Sequence, residues 1–508
     1  MELQKIIEEF ENTTGYKLEI RDNKLFYDGN LYLYETNITS LPDNLTVGKS
    51  LDLTDTPITE LPDNLTVGGE LYLRGTPITS LPDNLTVGGN LYLRDTHITS
   101  LPEGLTVAGG LDLSGTKITK LPDNLTVGGF LNLFGTKITE LPEGLTVGRD
   151  ISLGNTPITK LPDNLTVGGN LDLKYNIHLE KLPDGLTVEG DLDLLWSNIK
   201  SLPKDLTVGG DIKLSGTKIT KLPDNLTVGG FLNLFGTKIT KLPDNLTVGG
   251  DLYLRGTDIT SLPDNLTVGG NLFLRDTHIT SLPEGLTVAG WLDLSGTKIT
   301  KLPDNLTVEK SLDLSGTPIT KLPDNLTVGG ELYLGGTNVK DTSNIKHTLS
   351  EDARRKINEK QNICLTWKRK NKTYIKVDGI FSVLDSHHGN VWKVHQIGSK
   401  KHIFIVTDGE YHYAHGETIK EARKDLIYKK CDRNKSEYKS LTLESVLTFE
   451  QAIECYRVIT GACEVGTKYF CENILAKENK KDKYTIREII HLTENQYGNN
   501  IFKTFFEK

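Results

Sequence analysis

Six histidines fall close together in the last third of the chain: His387, His388, His395, His402, His412 and His415. Clustered imidazoles are suited to binding transition metals or to moving protons in phosphodiester cleavage. No carboxylate accompanies them at a recognisable ligand spacing, so they read as surface residues of strands. Cys455, Cys463 and Cys471 are spaced by eight. Structural zinc sites use closer pairs such as C-x-x-C, so these read as semi-buried thiols. Neither a Gly-rich phosphate loop nor a G-x-S-x-G elbow occurs. The tract Trp367-Lys-Arg-Lys-Asn-Lys-Thr-Tyr374 is basic with an aromatic at each end, a composition that can meet nucleic-acid phosphates. A charged strand edge that discourages aggregation explains the same tract. No catalytic residue, metal ligand or cofactor is assigned on these patterns.

A second group of residues suits recognition rather than catalysis. Tyr72, Arg74, Tyr92 and Arg94 sit near His97, and Tyr253, Arg255, Phe273 and Arg275 sit near His278. Phe130, Phe134, Phe231, Phe235 and Trp291 occupy neighbouring columns of the same pattern. Aromatic and Arg side chains are the types enriched at binding hot spots. Tyr72 to Arg275 is a long span, so these residues act together only if a regular scaffold points them the same way. The tract around the first cluster is nearly repeated 181 residues, or nine repeat units, later, and the F-L-N-L-F tract at 130–134 recurs at 231–235. Recent duplication would copy both clusters, and aromatics also suit strand surfaces, so contact surface and copied sheet residues both stand as readings.

The scaffold is overt. A 20-residue unit, L-P-D-N-L-T-V-G-G-x-L-x-L-x-G-T-x-I-T-x, recurs from about residue 31 to 340 and contains sixteen L-x-L cores, from Leu31 to Leu332. The register slips once, by one residue between Leu171 and Leu192, where Lys174-Tyr175-Asn176-Ile177-His178-Leu179-Glu180 replaces the shorter tract. Side chains alternate along a strand, so both leucines of L-x-L point inward and the residue between them points out. In the unit around Leu91, Ile98, Leu101, Leu105 and Val107 complete the apolar set. Gly115, Gly135 and Gly216, Asp95 and Asp276, and Asn155 suit a left-handed corner after the strand. Thr recurs from Thr36 to Thr337, replaced only by Asn176 and Ser197. Its hydroxyl is expected to bond the turning backbone inside each coil, and stacked copies to form a polar ladder. One coil cannot bury its own apolar face; a stack can.

These motifs resemble the leucine-rich repeat (L-x-x-L-x-L-x-x-N-x-L), and in the L-P-x-x-L tract the short bacterial subtype of secreted effectors, with Thr in place of the ladder Asn. The resemblance implies a solenoid with a parallel β-sheet on its concave face and an extended convex side, here of sixteen coils. Strands about 4.8 Å apart would give a sheet of about 70–75 Å. Related repeats followed by this kind of tail are associated with proteins of gut bacteria and their phages. Secreted effectors of this type often append a ubiquitin ligase domain with a Cys in a C-x-D context. Cys431-Asp432 lacks that spacing and the tail is short, so that activity is not carried over.

The flanks bound the organisation. Leu3, Ile6, Ile7 and Phe10 have helical spacing and Lys17–Tyr27 reads as one or two strands, which makes residues 1–30 an N-terminal cap. Residues 341–363 read as a linker or helix. Residues 364–508 read as an α+β domain, with a division into two subdomains near 435, three to five strands in 364–415 and capping boxes at Thr418–Glu421, Thr448–Gln451 and Thr485–Glu488. Residues 1–340 carry 28 Lys+Arg against 44 Asp+Glu, a net −16, and residues 341–508 carry 30 against 23, a net +7. An acidic solenoid is a poor nucleic-acid partner, whereas the basic tail is a candidate one. No run of 18 apolar residues occurs, so no membrane span is expected. The start lacks the pattern of a standard secretory signal, and five Cys, all beyond residue 360, suit a reducing, cytoplasmic setting.

The function expected is therefore that of a non-enzymatic binding protein whose solenoid captures a protein partner. The association with phages adds the expectation of an inhibitor that occludes a host protein. The alternative is a targeting solenoid fused to a nuclease-like or nucleic-acid-binding tail.

Overall fold

A computed structural model describes residues 2–346 apart from 22, 23, 164, 225 and 344, and residues 364–506 apart from 370–371, 397–398, 400, 410–411, 431–434, 436–437, 463–466, 468–469, 472–480 and 495–497. The chain forms two compact units, Met1–Thr348 and Leu349–Lys508. The expected linker helix at Ser350–Lys360, Cys431-Asp432 and Cys463 lie outside the described residues.

In the first unit each L-x-L core contributes a two-residue strand, and the strands from Leu31–Tyr32 to Leu332–Tyr333 form one unbroken parallel sheet of sixteen. Each leucine pairs with the leucine of the next coil, as Leu71 does with Leu91. Two backbone bonds per step hold the register: Leu71 N donates to Asn90 O at 2.9 Å and Leu73 N to Tyr92 O at 2.8 Å. Leu91, Leu93, Ile98, Leu101, Leu105 and Val107 are all buried, so the apolar set of one coil is the one the repeat implies. On the return side, Thr–Val pairs form a second row of parallel strands, divided into runs of eight, six and three. The run of eight begins with the N-terminal cap. Strand Lys24–Tyr27 pairs antiparallel with Glu19–Arg21 and parallel with Leu45–Val47. The preceding helix, Glu2–Thr14, buries Ile7 and Phe10.

The polar ladder differs from the expected one. Thr hydroxyls stay within their own coil: Thr56 Oγ1 donates to Leu53 O at 2.7 Å, and Thr76, Thr96 and Thr116 repeat the bond. The side-chain bonds between coils come mostly from the residue just before the strand. Asp150 Oδ1 accepts from Asn170 N at 2.7 Å, Asn170 Oδ1 from Asp191 N at 2.7 Å, Asp191 Oδ1 from Asp211 N at 2.8 Å and Asp211 Oδ1 from Phe231 N at 2.7 Å. A short carboxylate or amide there reaches the next coil, while the Thr hydroxyl is tied to the carbonyl three residues back. Asn176, in the irregular coil, turns its amide to the preceding coil instead. It is fully buried, accepts from Thr156 N at 3.0 Å and donates to Leu153 O at 3.0 Å.

The second unit begins with a six-stranded antiparallel meander running from Leu365–Arg369 to Tyr413–Gly416, one strand more than the upper expectation. Helix Ile419–Lys430 follows, opened by reciprocal Thr418–Glu421 bonds, and packs Ala422 against Val406 and Ala414. Helices Phe449–Thr460 and Ile486–Leu492 each start with the expected capping box. They share a separate core with helix Asn499–Phe506, built on Cys455, Ile459, Ile486 and Phe502. Among the described residues, no helix is long and apolar enough to cross a membrane.

Candidate functional site

The residue between the two leucines of each strand faces out of the sixteen-stranded sheet, and every twentieth side chain therefore lies beside its counterpart. Tyr72 and Tyr92 stack, with ring centroids 4.8 Å apart and planes 11° apart. Tyr253 and Phe273 do the same at 4.8 Å and 16°. Their polar edges are tied down. The Tyr72 hydroxyl donates to Glu70, whose other oxygen accepts from Asn90 Nδ2 at 2.6 Å, and Asn90 Nδ2 also donates to the Tyr92 hydroxyl at 3.0 Å. Burial and then the Glu70 carboxylate raise both phenols above the ordinary range, so both rings stay neutral. Tyr253 donates to Asp251 Oδ2 at 3.1 Å. Such pairs are fixed platforms and lose little side-chain entropy when covered.

A third ring extends each pair, and the two clusters obtain it differently. Phe130, from two coils beyond Tyr92, leans back over Gly110 to bring its ring within 6.3 Å of Tyr92. A Cβ at Gly110 would overlap that ring, so the glycine makes the room. In the second cluster Trp291 is itself the next coil's residue and lies 6.0 Å from Phe273. Phe231 joins from the other side, 5.8 Å from Tyr253, and Tyr333 continues beyond Trp291 at 6.5 Å. The sequence positions are not equivalent: Gly110 corresponds to Trp291 and Phe130 to Ser311 under the 181-residue offset. Phe130, Phe231 and Trp291 also stand in the column whose Asp, Asn and Ser side chains carry the ladder between coils. At those three coils an aromatic ring replaces a hydrogen-bonding group.

The next column carries the cations. Arg74, Arg94, Arg255 and Arg275 follow the stacked rings. Arg94 Nε lies 3.3 Å from Asp95, and Arg255 Nε and Arg275 Nε lie 3.6 Å and 3.5 Å from Asp276. These pairs are half exposed and hold their arginines weakly. Phe134 and Phe235 are exposed, flanked by Lys174 and Arg255 at 5.7 Å and 5.9 Å from the ring centres. Much of the acidity of this face is structural. Asp52, Asp112, Asp193 and Asp313 each accept a bond from the backbone N–H two residues on, closing the turn after their strand.

Two residues that the repeat reading passed over belong beside these. Tyr175 and Trp196 occupy the left-handed corner that the other coils give to Gly, Asp, Asn or, at Glu35, a glutamate, with φ of 60° and 56°. Bulky side chains are outliers there. Both are exposed, Trp196 to 60%, and a Cβ at Gly216 would overlap the Trp196 ring. The signal was present in sequence: an aromatic stands in a column otherwise filled mostly by turn formers.

The tail places the histidines in three settings. His387 and His388 end an exposed strand segment, and His412 Nδ1 lies 2.7 Å from Asp408. His415 is fully buried beside Asp378 and Lys429, whose ammonium donates to both Asp378 oxygens at 2.9 Å and 3.0 Å. Desolvation drives its pKa down to about 4, with Lys429 helping and Asp378 opposing. His395 and His402 converge on Asp385, at 2.7 Å and 2.8 Å. The carboxylate is ten and seventeen residues away, at no recognisable ligand spacing, and arrives through strand pairing. Trp367 and Tyr374 are buried against Phe381, so the aromatics of the basic tract are core residues and cannot stack on bases. Cys455 is buried, and burial pushes the Cys364 thiol up to about 12, so both suit inert packing roles.

No protein-family model matches the chain, and no curated protein is similar to it. Solved structures similar to it include YopM from Yersinia enterocolitica, with 20% identity over 63% of this chain and 89% of that one and a TM-score of 0.34. YopM from Yersinia pestis, described as a leucine-rich effector protein, has 19% identity over 63% and 85%, with a TM-score of 0.32. A leucine-rich-repeat protein of Leptospira interrogans has 22% identity over 64% and 91%, also with a TM-score of 0.32. These structural neighbours are bacterial leucine-rich-repeat proteins, and the coils of residues 31–340 themselves form a leucine-rich-repeat solenoid of about 20 residues per turn.

Proposed function

We propose that the solenoid is a non-enzymatic binding scaffold whose sixteen-stranded face captures a protein partner on two aromatic arrays. Tyr72, Tyr92 and Phe130 form one, and Phe231, Tyr253, Phe273 and Trp291 the other, with Arg74, Arg94, Arg255 and Arg275 at their border and Phe134 and Phe235 beyond. The observation that carries this reading is the third ring of the second array. Duplication accounts for two copies of a stacked pair, and Phe130 stands in an F-L-N-L-F tract that recurs at Phe231, but duplication does not account for Trp291, which stands where the first tract has Gly110. Trp291 extends its stacked pair from a position not equivalent to that of Phe130, and forfeits a ladder side chain to do so. Stacked rings buried under a partner would be its anchors, and the acidic surface around them would steer a partner of basic surface. Capture of this kind works by occlusion and needs no chemistry from the scaffold.

The test compares the parent with a variant carrying Tyr72→Ala, Tyr92→Ala, Phe130→Ala, Tyr253→Ala, Phe273→Ala and Trp291→Ala. Both are used as bait in cells of the native host, with mass spectrometry of what is retained and circular dichroism as the check on folding. Proteins enriched by the parent should be lost from the variant. Equal enrichment by a folded variant would remove this face as the binding site.

A further inference from the structure

The cluster of Asp385, His395 and His402 has no part in the reading above. It is assembled by sheet geometry. Strand Ile380–His388 pairs with Val391–His395 with a register shift between Leu384 and Ser386, so Asp385 is the extra residue of a bulge. Val383 lies opposite His395, and His395 lies opposite His402 on the next strand. Side-chain alternation puts Asp385 on the same face as those three. The bulge releases Asp385 from direct pairing and aims its carboxylate between the two rings. Oδ1 is then 2.7 Å from His395 Nδ1 and Oδ2 is 2.8 Å from His402 Nδ1. The rings meet edge to face, with centroids 5.8 Å apart. One ligand atom from each residue lies within 4.8 Å of the other two.

We propose that Asp385, His395 and His402 form a binding site for one divalent late first-row metal ion, with zinc the best match. Two imidazoles and a carboxylate are the ligand types of zinc sites, whereas magnesium and calcium demand mostly oxygen. Three protein ligands leave one tetrahedral position for water. Bonds of about 2.0–2.2 Å place tetrahedral ligand atoms roughly 3.4 Å apart, so the two carboxylate–imidazole separations must open by less than about 1 Å, and the imidazole pair, whose ligand atoms lie within 4.8 Å, must adjust by no more than about 1.4 Å. Small side-chain rotations supply that, because all three side chains are partly exposed, between 24% and 43%. Without an ion, the carboxylate holds both Nδ1–H groups and keeps the rings in place. On loading, each neutral ring moves its proton to Nε2 and ligates through Nδ1, so two hydrogen bonds are exchanged for metal bonds and no net proton is released. The histidines elsewhere in the tail do not share this carboxylate and serve as controls.

The test uses full-length protein stripped with chelator and titrated with zinc chloride by calorimetry, and with cobalt(II) followed by visible absorption. The expected result is one equivalent bound, with the intense cobalt bands of a four-coordinate site. Asp385→Asn, His395→Gln and His402→Gln should each weaken binding roughly tenfold or more. A His387→Gln, His388→Gln, His412→Gln triple variant should bind as the parent does. His402 is the most exposed of the three ligands, so His402→Gln keeps the test meaningful if Asp385→Asn disturbs the hairpin. Binding weaker than about 100 μM would overturn the assignment and leave Asp385 as a brace between two strands. Binding that survives all three ligand variants, or that the control variant abolishes, would overturn it equally.

Discussion

His415 should make the second unit sensitive to mild acid. In the fold its pKa is about 4, with burial as the largest cause and the Lys429 ammonium adding to it. In the unfolded chain an imidazole titrates near 6.5. Between these values the unfolded state binds more protons than the folded one, so stability rises with pH across the window. The contribution is complete above about pH 6.5 and is lost as pH falls to about 4. Each unit of difference is worth about 1.4 kcal/mol, so the full loss is of order 3 kcal/mol, and about 2 kcal/mol is gone by pH 5. Carboxylates do not mimic this. Glu488, held near 2 mainly by Lys481, loses its contribution only as pH falls below about 4.5, beneath the pH 7 to pH 5 range of the comparison. Trp367 and Trp392 report on this unit once Trp196 and Trp291 are replaced by Phe. Urea denaturation at pH 7 and pH 5 in that background should show the loss, and His415→Gln should remove about 2 kcal/mol of the difference. An equal change in both proteins would refute the assignment of the acid sensitivity to His415.

Two further outcomes probe the solenoid. Asn176→Ala removes a fully buried amide that serves Thr156 N and Leu153 O, and should cost about 2–3 kcal/mol in chemical denaturation; a cost under about 0.5 kcal/mol would show that neighbouring coils re-pair without it. Gly110→Val should displace the Phe130 ring from Tyr92 and reduce the near-ultraviolet circular dichroism while leaving the far-ultraviolet signal unchanged, and an unaltered near-ultraviolet spectrum would mean that the array does not depend on that glycine.

Leu91, Leu93, Ile98 and Val107 were legible as one coil's core because a strict period fixes both spacing and facing. The turn positions were legible for a similar reason: Gly115, Asp95 and Asn155 fall where left-handed φ is needed, and they adopt it. The inter-coil ladder was not. Its column holds Asn30, Ser50, Asp150 and Asn170 but also Gly110, Phe130 and Trp291, and a column so mixed gives no periodic signal. The Thr column is uniform because its bond stays inside the coil and is identical in every copy. The Asp385 cluster was hidden for another reason. Strand pairing brings together residues ten and seventeen apart only after the bulge at Leu384–Ser386 has set the facing, and no local spacing encodes a bulge.

The positions where this chain departs from its own rule therefore carry more information than those where it obeys. A sequence that repeats one unit sixteen times can satisfy every corner with Gly or Asn and every ladder step with Asp or Asn. At Tyr175 and Trp196 it places large rings at φ near 60° instead, and at Phe130, Phe231 and Trp291 it gives up ladder acceptors. None of these five choices improves the solenoid. Left-handed backbone with a Cβ costs about 1–2 kcal/mol, and a missing hydrogen bond about 1 kcal/mol. All five place an aromatic ring, and Trp196 stays 60% exposed. Other departures do not: Glu35 takes a left-handed corner at φ 57°, and Gly110 takes a ladder position. On the proposed binding reading, aromatic surface gained at some cost in stability serves contact with a partner, and replacing Tyr175 and Trp196 by Gly should weaken capture without weakening the fold.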